Sequence, residues 1–177
     1  CHRQTTGAEL VRQLLDRGVL QLGAFVAGVG TGGTLMGVGQ ALRESFPGVR
    51  IVAVEPRESA VMSGGPPGEH GIMGIGDGFV PAIVDRASID EVIQVSTEEA
   101  LAECRRLRAH HGWCVGLSAG ANLLAARRVA GPGLPVATIW PDSADRYTSV
   151  GLDPPSSETS CCPLSYGCHR RMTALLG

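Results

Sequence analysis

The chain has 177 residues, 44% of them hydrophobic and 18% charged, with 17 acidic residues against 15 basic ones and a formal net charge of -2. That size and composition suit a globular domain with a proper core, and the slight negative charge argues against a nucleic-acid or membrane surface. No apolar run approaches bilayer length and no charged-then-apolar leader opens the sequence, so a cytoplasmic protein is the expectation.

The sequence opens at Cys1 in what reads as the run-up to a helix, and an N-terminal portion is therefore expected to precede it. Thr6 with Glu9 has the spacing of a capping box and starts a predicted helix running to about Arg17, where Gly18 stops it. Leu20 to Ala27 supplies strand residues, Leu35 to Ser45 a helix ended by Pro47 and Gly48, and Val49 to Val54 an apolar strand of the kind buried in parallel sheets. Strand, helix, strand implies a right-handed crossover. Ser63 to Gly78 is a glycine-rich loop too long for a mere connection, and Ile72, Met73, Ile75 and Phe79 predict that it packs. Glu91 to Val95 reads as a strand, and Ser96 with Glu99 caps a helix that runs to about His111, where Gly112 closes it.

Trp113 to Gly116 reads as a short strand entering a small-residue turn, and the residues from Leu117 to Ala130 read as a helix. Pro135 to Trp140 is the last predicted strand, followed by PDSADRY. Four or five parallel strands with interleaved helices make an α/β protein with an open, mostly parallel sheet, whose ligand sites lie at the carboxyl ends of the strands. Residues 1–152 are assigned to this domain, and 153–177 to an irregular tail rich in Cys, Pro and Ser. Cys104 and Cys114 fall in a predicted helix and strand as small core residues. Cys161, Cys162, Cys168 and His169 crowd the tail, but their spacing matches no standard zinc template, and no metal is expected.

The stretch with chemistry in it is FVAGVGTGGTLMGVGQ, residues 25–40. Gly28, Gly30, Gly32 and Gly33, with Thr31 and Thr34, lie between a strand end and a helix start. Bare backbone lets a ligand approach main-chain N–H groups, and the first N–H groups of a helix sit at the positive end of its dipole. A phosphate would satisfy both, with added donors from the threonine hydroxyls. The competing reading is a glycine turn that only permits close packing. A P-loop is excluded, because no GK[ST] ending is present. Gly28, Gly30 and Gly33 do match G-x-G-x-x-G, and Glu55 at the end of the next strand is a candidate ribose-binding carboxylate, so a dinucleotide site stays open at this point.

Six blocks occur in order: VAGVGTGGTLMGVG, AVEP, HGIMGIGDGFVP, VSTEEAL, GLSAGAN and PDSADRYTS. Together they resemble the second half of the pyridoxal-phosphate-dependent cysteine synthases, the O-acetylserine sulfhydrylases of the tryptophan-synthase β fold (fold type II), over about residues 1–152. The resemblance implies one domain of two. It implies a phosphate held by Gly30, Thr31, Gly32, Gly33 and Thr34, which displaces the dinucleotide reading, and a ring-nitrogen contact from Ser118, whose competing role is a helix N-cap. It places Gly74, Ile75 and Gly76 in a loop on the substrate side of the cofactor, with a packed lid lacking ligand contact as the alternative. Asp142, Ser143 and Arg146 match a region expected to be structural.

The implied activity is cysteine synthesis from an activated serine such as O-acetylserine and sulfide, by a usually homodimeric enzyme. Cystathionine β-synthase, which shares the fold, and a non-catalytic phosphate-binding remnant are the alternatives. The family's Schiff-base lysine and its substrate-carboxylate loop belong to the earlier half. This chain contains no lysine at all, so no catalytic residue is assigned within it.

Overall fold

In the computed structural model, residues 1–150, Leu152 and 173–176 are described. The chain alternates strands and helices: α1 (Ala8–Asp16), β1 (Ala24–Gly28), α2 (Gly33–Ser45), β2 (Arg50–Pro56), β3 (Glu91–Val95), α3 (Thr97–His111), α4 (Leu117–Val129), β4 (Val136–Ile139) and β5 (Thr173–Leu176). The sheet order is β3-β2-β1-β4-β5. The first four strands pair in parallel and β5 runs antiparallel to β4. The mostly parallel open sheet expected from the sequence is what forms. Thr173–Leu176 adds a strand inside the segment read as irregular, and the crowded cysteines with His169 lie outside the described residues.

Side chains alternate between two cores, as a pleated strand requires. Val26, Val52 and Val54 join Ala100, Leu107, Leu117 and Leu123 from α3 and α4. Phe25, Ala27, Ile51 and Ala53 join Leu10, Leu14, Leu35 and Val38 from α1 and α2. Both faces of β1 and β2 are therefore covered, which is why VRIVAV is apolar without alternation.

Three local expectations fail for identifiable reasons. Thr6 and Glu9 make no capping box, because the chain is already wound from its first residues: Gly7 donates to the His2 carbonyl and is itself helical. The Thr6 hydroxyl pairs with His2 Nδ1 and Glu9 accepts from Gln13 instead. β1 begins at Ala24 rather than Leu20, which is left exposed before the sheet edge. Residues 113–116 form no strand in the sheet; Val115 makes a single antiparallel bridge to Ser143, flanked by Gly116 N–H to the Asp142 carbonyl and Ala144 N–H to the Cys114 carbonyl. That bridge ties the loop after β4 to the start of α4. By contrast, Ser96 and Glu99 cap α3 reciprocally and Gly112 ends it in the left-handed region, as predicted.

Candidate functional site

Between β1 and β4 the order of strands reverses direction, which is the topological switch point where open α/β sheets hold ligands. A cavity of about 450 Å³ opens there. Ala27 and Gly28 from the end of β1 and Ile139 and Pro141 from the end of β4 line it, beneath the starts of α2 and α4.

Of the residues singled out from sequence, Gly30, Thr31, Gly32 and Thr34 form one wall, Gly74 and Ile75 another, and Ser118 a third. Gly33 and Gly76 stand one step back: Gly33 opens α2, and Gly76 donates its N–H to the Val29 carbonyl at 2.9 Å. The glycines serve close approach. Gly32 has φ +84°, and a Cβ there would collide with Val84. A Cβ on Gly30 would collide with the Gly74 carbonyl oxygen.

Neither helix start is capped by a side chain. The N-cap of α2 is Gly32 and that of α4 is Gly116, so the first N–H groups of both helices present the positive ends of their dipoles to the cavity. Ser118 is therefore not the N-cap of α4; it lies inside the first turn, 4% exposed.

His70 fixes the loop wall. Its Nε2 lies 2.9 Å from the Gly76 carbonyl oxygen. A carbonyl only accepts, so the bond needs the ring proton on Nε2, and Nδ1 is buried without a partner. Gly71 N–H donates to Thr97 Oγ1 at 2.8 Å, tying the same loop to α3.

Four further side chains complete the cavity: Asn122, Asp142, Arg146 and Tyr147. Asn122 is 2% exposed; its Nδ2 donates to the Ile139 carbonyl at 2.8 Å, and its Oδ1 has no partner. Asp142 Oδ2 accepts from the Tyr147 hydroxyl at 2.5 Å, and its Oδ1 is buried with no partner. Burial pushes the Asp142 carboxyl above the usual carboxylate range, against the pull of the Tyr147 hydroxyl and Arg146. Burial likewise raises the Tyr147 phenol, with Asp142 adding to it. Asp142 and Arg146, expected to be structural, thus face the cavity, and Asn122 and Tyr147 were not anticipated as site residues. Asn122 was findable, since it follows Ser118 by four residues and shares its helix face. Asp142 stands just beyond a strand's carboxyl end, where such sheets gather ligand groups.

Glu55 is withdrawn from any ribose role. It is 2% exposed, and its carboxylate accepts from Met62 N–H, Ser63 N–H and the Ser63 hydroxyl. That removes the acidic partner a dinucleotide would need.

Residues 1–139 match the family model described as pyridoxal-phosphate dependent enzyme. Over 154 residues the chain is 42% identical to a cysteine synthase of Staphylococcus aureus, a match covering 85% of this chain and 49% of that protein. It is similar to the structure of O-acetylserine sulfhydrylase isoform 3 from Entamoeba histolytica, at 36% identity and a TM-score of 0.75, over 85% of this chain and 46% of that one. An O-acetylserine-dependent cystathionine β-synthase from Helicobacter pylori is similar at 38% identity and a TM-score of 0.74, over 82% and 50% of the two chains. The chain spans about half the length of the curated relatives it matches.

Proposed function

The chain belongs to the pyridoxal-phosphate-dependent enzyme family, and from that premise we propose that its cavity is the cofactor cradle of a cysteine synthase. The observation that carries this is the meeting of two uncapped helix starts, two threonine hydroxyls and two orphaned buried acceptors around one cavity at the switch point. The donor set suits a phosphate monoester, and the orphaned acceptors suit a heteroaromatic ring carrying hydrogen-bond donors. The groups present therefore fit pyridoxal phosphate.

Gly30, Thr31, Gly32, Gly33 and Thr34 hold the phosphate through main-chain N–H groups and hydroxyls. Ser118 meets the ring nitrogen. Gly74, Ile75 and Gly76 border the side on which an amino-acid substrate enters. Bound there, pyridoxal phosphate supplies an electron sink for β-replacement, in which acetate leaves O-acetylserine and sulfide takes its place to give cysteine. No lysine occurs in the 177 residues, so the part these residues play is to bind, orient and shield rather than to bond the cofactor through a side-chain amine. Residues 1–152 form the cofactor-phosphate-binding domain in this proposal, 153–177 its tail, and the complete enzyme is a cytoplasmic homodimer. Among the described residues, no helix is long and apolar enough to cross a membrane.

A second reading, a cystathionine β-synthase-like enzyme, is favoured by the Helicobacter pylori relative; it changes the sulfur donor from sulfide to a thiol amino acid and leaves the cradle as described.

The test is a visible-absorbance titration of the purified chain with pyridoxal phosphate, followed by borohydride reduction and mass spectrometry. Saturable binding that inorganic phosphate competes, with the free-aldehyde band unshifted, is the expected result. Absence of binding would overturn the cradle, and a borohydride-fixed adduct would overturn the purely non-covalent role.

A further inference from the structure

The cavity wall through Met73, Gly74 and Ile75 has a held backbone and one free side chain. Met73 N–H donates to the Gly71 carbonyl at 3.0 Å, and Gly71 N–H in turn donates to Thr97 Oγ1 at 2.8 Å. Beyond Met73, a Cβ on Gly30 would collide with the Gly74 carbonyl oxygen, and one on Gly28 with Ile75. The wall is thus seated against the phosphate turn and the end of β1. Ile75 is buried there, whereas the Met73 side chain lines the cavity and is still 63% exposed. A ligand entering along this wall meets the thioether first.

The fixed charges that bracket this wall are negative. Residues 70–76 contain no arginine, Glu69 and Asp77 flank them, and the chain has no lysine. His70 is engaged with the Gly76 carbonyl. The cation among the lining residues, Arg146, stands on the loop after β4, where its charge acts on Asp142 and Tyr147. The first-turn N–H groups of α2 are taken by the cofactor's phosphate in the function proposed above. A second phosphate beside Met73 would find no counter-charge and would be repelled by the first.

Resting on that cofactor-cradle reading, we propose that Met73 sets the class of leaving group on the activated serine, accepting an uncharged acyl ester and rejecting a phosphoryl ester. An unbranched thioether chain is apolar, polarisable and adaptable, so it covers a group of acetyl size without demanding a single shape. To a phosphoryl dianion it offers neither donor nor charge, and that group would shed its water with nothing in return. The selection therefore works by rejection as much as by attraction. Met73 moves no proton, so its part is in specificity rather than in the chemical step.

The experiment uses the conjugates made by borohydride reduction of pyridoxal phosphate with an amino acid, which carry the amino acid on a stable secondary amine and need no lysine. Norleucine stands in for the uncharged ester and O-phosphoserine for the charged one. Equilibrium binding of both conjugates is measured with the native chain, Met73→Leu and Met73→Arg. Both ligands share the cradle, so the ratio of their affinities isolates the side chain. The native chain and Met73→Leu are expected to favour the norleucine conjugate by about tenfold or more, and Met73→Arg to cut that ratio by about tenfold or to invert it. A ratio near unity in the native chain, or an unchanged ratio in Met73→Arg, would overturn the role of Met73. Binding of pyridoxal phosphate but of neither conjugate would also overturn it, since the wall would then admit no amino acid. In each of those cases the bound pyridoxal phosphate leaves the cradle standing. Failure of the native chain to bind pyridoxal phosphate itself would overturn both readings.

Discussion

The N–H of Gly76 donates to the carbonyl of Val29 at 2.9 Å, so the two glycine-rich loops of the site are one unit. Val29 itself donates to the Val54 carbonyl at 3.1 Å, continuing the β1–β2 ladder one residue past the strand end. The wall proposed for the substrate side therefore hangs from the sheet through the same residue that leads into the phosphate turn. A displacement of either loop must be felt by the other.

Gly30→Ala tests that coupling. The new methyl meets the Gly74 carbonyl oxygen, a backbone atom that cannot rotate away, so the loops must part. A loss of about 1–3 kcal/mol in stability is expected from overpacking, together with weakened pyridoxal phosphate binding. Denaturant unfolding and a binding titration check the two; unchanged stability would show that the loops yield freely.

His70→Ala removes the side chain that holds the Gly76 carbonyl from below. Global stability should fall by about 1 kcal/mol, the worth of one hydrogen bond, while the Gly76 amide exchanges its hydrogen much faster as the loop opens. His70→Gln can donate from nearly the same place and should restore protection. Native-state hydrogen exchange reads this directly, and equal protection in all three proteins would dismiss His70 as the loop's anchor.

Elements set by local signals were legible in the sequence. β3 spans Glu91–Val95 and α3 runs from the Ser96 cap to Gly112, because caps and apolar runs act within a few residues. The wall of Gly30, Thr31, Gly32 and Thr34 was legible for the same reason. The place of Asp142 in the cavity lining was not, since it depends on Asp142 lying beside Gly116, a pairing across 26 positions that nothing in either segment announces. The missing Thr6 cap is the converse case: the local signal is present, but the helical winding from Cys1 leaves no extended N-cap for it.

Cys104 should be chemically silent. Its side chain is 2% exposed, Sγ donates to the Gly116 carbonyl at 3.3 Å, and burial pushes the thiol up to about 12. At mildly alkaline pH almost none is thiolate, the reactive form. Iodoacetamide should modify exposed Cys1 in the folded chain and reach Cys104 only after denaturation. Mass spectrometry of the two peptides decides it, and rapid labelling of Cys104 in the folded chain would contradict its burial against α4.

Glu99 gives the acid side of the stability profile. Its carboxyl is held at about 2, down from an ordinary 4.5, first by the Ser96 N–H and then by Arg57, while burial works against them. A folded value below the unfolded one means that the unfolded chain binds more protons in between. The stabilisation is therefore fully present above 4.5 and is lost as the pH falls towards about 2. Arg57 and Arg128 both pair with this carboxylate at 2.8 Å, but the side chain is 34% exposed and salt will screen part of the effect. Glu99→Gln keeps an oxygen for the Ser96 N–H, removes the charge and puts an NH₂ where Oε1 accepts from Arg128. Urea midpoints should place the variant below the native chain at neutral pH, with the gap narrowing below 4.5 and gone near 2. A gap that persists in acid would mean that the glutamine disturbs the cap itself, and that the ionised carboxylate is not what anchors the start of α3.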